Sequence, residues 1–83
     1  MSTNIELAAR AVIHFRKAGD ARMTAVAANL VTTHAPTVSD LIREAGKLNN
    51  SPKLVNTDHV SIMGMMDHAE MVLHVAKLRD LAA

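Results

Sequence analysis

Apolar residues recur along this chain at spacings of three and four, the period of an amphipathic α-helix. Ile5, Ala8, Ala9, Val12 and Phe15 form the first such stripe, with Arg10, His14 and Lys17 on the other side. Thr3 followed by Glu6 is a capping-box start, and Gly19 stands where a C′ glycine would end the segment. The pattern therefore predicts a helix over residues 3–18, after which Asp20 can cap the next one.

Met23, Val26, Ala27 and Leu30 continue the helical spacing as far as His34. Pro36 then removes an amide hydrogen and clashes with the preceding turn, which calls for a break. Yet at about 100° per residue, Thr37, Leu41, Ala45 and Leu48 stay in phase with Met23 and Leu30. The shared phase favours one long helix over residues 21–48, kinked at Pro36, over a stop at His34 and a restart around the proline. Asn49-Asn50-Ser51-Pro52 is a turn cluster. Thr57 or Asp58 is placed to cap a last helix over residues 57–81. The expected fold is all-α and a single domain over residues 1–83: a long antiparallel helical hairpin, 21–48 against 57–81, with the shorter first helix beside it.

The last segment is apolar on two faces. Ile62, Met65, Met66, Ala69, Val72, Leu73 and Ala76 share one arc, assigned to the hairpin core. Val60, Met63, Met71, Val75, Leu78 and Leu81 lie opposite. A surface helix of a monomer carries one apolar stripe, so the second is expected to meet another copy of the chain. Val60, Met63, Met71, Val75 and Leu78 are the expected interface of a homodimer or higher oligomer.

Composition sharpens this picture. The chain has 83 residues and no cysteine, which rules out disulfide staples and thiolate metal sites and strengthens the case for a partner chain. Phe15 is the only aromatic residue, so the stacking platforms of single-strand nucleic-acid binders are missing. A net charge of +1 creates no global field toward nucleic acid or membrane. No apolar run has the length of a transmembrane span and the first residues do not read as a signal peptide, so a cytoplasmic protein with no membrane association is expected. Basic residues gather near the start (Arg10, Arg16, Lys17, Arg22) and acidic ones near the end (Asp58, Asp67, Glu70, Asp80), an asymmetry that favours their contact within or between chains.

Candidate chemistry is sparse. Asp67, Glu70 and His74 would share one helix face, but no His-Glu-x-x-His run or paired Glu-x-x-His motif accompanies them. They read as a solvated seam, and neither a metal nor another cofactor is expected. His34, on the apolar face before Pro36, reads as a core or kink histidine. There is no phosphate-cradling glycine loop, nucleophile elbow or reactive thiol, so the chain is not expected to be an enzyme. The clustered Met63, Met65, Met66 and Met71 suit core filling more than an adaptable binding groove.

Thr33-His34, His59-Val60 and His68-Ala69-Glu70-Met71 form short words, separated by gaps. In these the chain is similar to the TraM family of quorum-sensing antiactivators. That resemblance implies two long antiparallel helices and the silencing of a transcription factor, and carries no functional residue across. By elimination the leading expectation is a non-enzymatic helical oligomer that binds and modulates another macromolecule, a protein before others, as a regulator or inhibitor. Two alternatives stand beside it. One is an oligomer sequestering a small anionic ligand with Arg10, Lys17 and Arg22; the other is a nucleic-acid binder using Arg10, His14, Lys17 and Arg22.

Overall fold

A computed structural model describes residues 4–51 and 64–83. Among them are four helices and no strand: α1 (Asn4–Ala18), α2 (Ala21–His34), α3 (Val38–Asn49) and α4 (His68–Ala82). The first helix ends as the sequence predicts. Gly19 takes φ +75, the left-handed conformation that side chains with a Cβ resist. Its amide donates to the Arg16 carbonyl (3.2 Å) and that of Asp20 to the Phe15 carbonyl (3.0 Å), the pair of bonds of a Schellman motif. Asp20 then caps α2, its carboxylate accepting from the Met23 amide at 3.0 Å. With so short a turn, α1 and α2 fold back on each other as an antiparallel pair.

The kinked helix expected over 21–48 is two helices. Ala35, held before a proline, is extended (φ −86, ψ 154), and Thr37 is extended as well (φ −60, ψ 158). Thr37 starts α3 afresh, its hydroxyl accepting from the Asp40 amide (3.3 Å) and donating to the Asp40 carboxylate (2.8 Å). The proline's local chemistry prevails over the common phase. Residues that share a face on paper have opposite fates: Leu41 and Ala45 are buried, whereas Met23 and Leu30 are exposed.

The helix expected over 57–81 is likewise shorter where it is described. Residues 64–67 are non-helical, and Asp67 caps α4 by accepting from the Glu70 amide at 2.9 Å. Gly64, costly inside a helix, lies in this turn, and Met65, assigned by sequence to the core, is 83% exposed. Among the described residues no pair of long helices forms. Instead α4 lies across the α1–α2 pair and packs on α3 with its other flank, so the core joins Ala9 and Val12, Ala27 and Val31, and Leu41 and Ala45 to five residues of α4.

Those five are Ala69, Met71, Val72, Val75 and Leu78. Their spread around α4 takes in parts of both apolar arcs seen in the sequence, and these parts are covered by the chain's own helices, while Met65 and Leu81 stay exposed. Met71, Val75 and Leu78, expected at an interface with another copy, are 5%, 1% and 1% exposed within one chain and so are not available to a second. The reason is the break at Pro36, which supplies α4 with one more neighbour than a two-helix hairpin offers. Val60 and Met63, the remainder of that interface, lie outside the described residues.

Polar contacts fix α4 at both ends. Arg16 near the end of α1 binds Asp67 and Glu70 at the start of α4, with 3.1 Å from Nη1 to the Glu70 Oε1. Arg79 near the end of α4 binds Glu44 of α3 and is also attracted by Glu6 in the first turn of α1. The two helices therefore run antiparallel. The basic start and acidic end of the chain meet through Arg16. His68 Nε2 lies 3.1 Å from the Pro36 carbonyl oxygen, joining the first turn of α4 to the α2–α3 link.

Candidate functional site

With α4 seated on one side of the α1–α2 pair, the other side is left open, and it is not polar. Met23, Val26 and Leu30 fall within about 60° of arc on α2, on a flank adjoining the buried Ala27 and Val31. All three are exposed (38%, 50% and 47%). On α1, Leu7 is 53% exposed and lies more than about 120° round from Ala9 and Val12, which face α4. Between these rows the half-buried Ala8, Ala11 and Phe15 form the floor. Small residues on α1 beside large ones on α2 leave a step in the surface. At its open end is a groove of about 380 Å³ lined by Asn4, Ile5, Ala8, Leu30 and His34. A second hollow, about 410 Å³, lies on the α4 side of the pair near the α1–α2 turn, lined by Arg16, Gly19, Ala21, Thr24, Ala25 and Ala28.

His34, read from sequence as a core or kink histidine, is exposed and lines that first groove, because α2 ends there instead of running on past Pro36. The partner of the Pro36 carbonyl is His68, which the sequence had not singled out for this role. Only its proximity in the fold, 32 positions along the chain, creates that contact.

The four residues considered for anionic ligands or nucleic acid, Arg10, His14, Lys17 and Arg22, are all exposed. The first three run along α1 next to Leu7, and Arg22 borders Val26 on α2, so they flank the apolar rows on both edges. Among the described residues, no ion pair engages Arg10, Lys17 or Arg22; the cations that are paired are Arg16, Arg43 and Arg79. His14 makes an edge contact with Phe15, ring centroids 5.3 Å apart at 68°. Of the nearby carboxylates, Asp20 is committed to the cap of α2, and Glu6 lies on the α4 side of α1. The face is thus apolar in the middle and basic along its borders.

The trio considered for a metal is arranged otherwise. Asp67 and Glu70 turn to the guanidinium of Arg16, and among the described residues no group of three or more His, Asp or Glu is gathered to hold an ion. Among the described residues no helix is long and apolar enough to cross a membrane. Compared with protein-family models, with curated proteins and with solved structures, the chain finds no match in any of the three.

Proposed function

We propose that the protein is a non-enzymatic helical module that binds another protein through the α1–α2 face and modulates it by occupying that partner's surface. The observation that supports this reading is the row Leu7, Met23, Val26 and Leu30, large side chains left in water on one face, whereas Val38, Met65 and Leu81, the other exposed large apolar residues among those described, lie on other elements. Half-exposed residues scattered singly are ordinary; gathered on one face they form a patch on the order of a few hundred Å², the size of the largest patch on a typical monomer, which is often functional. A basic border around an apolar centre is also the layout of protein interfaces, with charge at the rim and depleted at the core. For nucleic acid the same cations are less suited, because they flank an apolar ridge and have one half-buried aromatic ring, Phe15, between them.

Quantitative affinity capture from cells that make the protein, wild type beside Leu30→Asp, tests the reading. One protein recovered in near-stoichiometric amount with the wild type and lost with Leu30→Asp supports it. Equal recovery with both, or recovery of nucleic acid in place of protein, overturns it. Circular dichroism of Leu30→Asp should match the wild type, since Leu30 is outside the core.

A further inference from the structure

We infer that the occupant of the α1–α2 face is an amphipathic helix of the partner protein with acidic residues flanking its apolar stripe. This rests on the protein-binding reading above and adds the chemistry of what is bound. Shape supplies the first argument. The face is a shallow furrow between two helices of 15 and 14 residues, giving a track about 20 Å long, the length of a four-turn helix. The step between Ala8 on α1 and Leu30 on α2 opens into a groove of about 380 Å³, room for the large side chain of an entering ridge. Among the described residues there is no sheet edge on which an extended peptide could add a strand.

Charge supplies the second argument, and it separates a partner helix from a second copy. Pairing two copies face to face around a twofold axis would bring Arg10, Lys17 and Arg22 of one chain to a basic border in the other, and among the described residues the carboxylate nearby is that of Asp20, which caps α2. A stable interface between two globular chains covers roughly 800 Å² per partner. A single helix needs less area, being held by anchors at i, i+3 or i+4 and i+7. Carboxylates beside those anchors would reach Arg10 and Lys17 on one border and Arg22 on the other, steering the helix into the furrow and fixing its register.

The test places a photo-crosslinking amino acid at Val26, in the middle of the furrow, and maps the adduct to a peptide by mass spectrometry. A synthetic peptide of the mapped segment is then titrated against the purified protein. Expected is a segment of net negative charge that becomes helical on binding. Its affinity for the wild type should fall with added salt, and it should fall about tenfold in Arg10→Glu/Lys17→Glu, while the fold of that variant is unchanged by circular dichroism. A protein adduct whose segment is neutral, basic or non-helical overturns this inference and leaves the protein-binding reading in place. An adduct to the chain's own copy overturns it in favour of self-association, and a lipid adduct in favour of a membrane surface. If no adduct forms, the protein-binding reading fails and the inference goes with it.

Discussion

The Arg79 guanidinium grips the Glu44 carboxylate with two parallel hydrogen bonds, Nε to Oε1 at 2.6 Å and Nη2 to Oε2 at 2.7 Å, tying α4 to α3. The fork geometry makes this the best-formed ion pair among the described residues. Its hydrogen bonds hold the Glu44 carboxyl below its ordinary range, against a smaller upward push from burial, and raise Arg79 further above neutrality.

A carboxyl lowered in the folded state contributes stability that is complete above its unfolded pKa and lost as pH falls through the folded one. Glu44 should therefore contribute fully above about pH 5, with the loss setting in below about pH 4. Both side chains keep more than a third of their surface in water, so screening limits the contribution to about 1 kcal/mol or less. Thermal melts of wild type and Glu44→Gln should differ near neutrality and converge toward pH 3. A constant gap down to acid would mean the pair does not form.

Val75→Asp should unfold the chain. Val75 is 1% exposed, and a carboxylate there would be buried with its nearest cation, Arg79, already held by Glu44, which costs about 3 kcal/mol or more against a small domain's margin. Loss of the far-ultraviolet helical signal is the expected readout. A well-folded helical variant would return Val75 to the surface and restore the idea of a second chain on that face.

Thr37→Ala should destabilise by about 1 kcal/mol, because the cap of α3 is lost. Pro36→Ala should also destabilise, by about 0.5 kcal/mol, since proline restrains the unfolded chain at a site that is already extended. For a kinked continuous helix the second change would stabilise. Denaturant midpoints of the two variants decide between these signs, and backbone chemical shifts of residues 35–37 should be extended.

Gly19→Ala should cost about 1 kcal/mol even though nothing lies within 4 Å of the added methyl, because the penalty is in the backbone at φ +75. The melting temperature checks it; an unchanged value would mean that the α1–α2 turn is built differently.

Local signals were legible in the sequence and long-range ones were not. Gly19 and Asp20 act on neighbours a few residues away, so α1 and the start of α2 could be read directly. Phase misled at Pro36, because periodicity records that a face is apolar without saying what covers it. Leu30 and Leu41 share a phase, but one meets water and the other meets α4. The two arcs of α4 were likewise visible, whereas their covering by three helices of the same chain depends on the α2–α3 break. The basic residues of α1 were found by type, and their role as a border appeared only once Leu7 was seen beside the exposed row of α2.

The seating of α4 has a consequence for how the protein opens. Among the described helices, α3 packs chiefly on α4, whereas α1 and α2 have each other. An excursion that lifts α4 away thus strips α3 of its main support but leaves the first hairpin paired, at least locally. Amides of α3 and α4 should exchange with solvent deuterium as one cooperative unit with a common opening free energy. Those of α1 and α2 would form a second unit, closed by contacts near in sequence and therefore quicker to re-form.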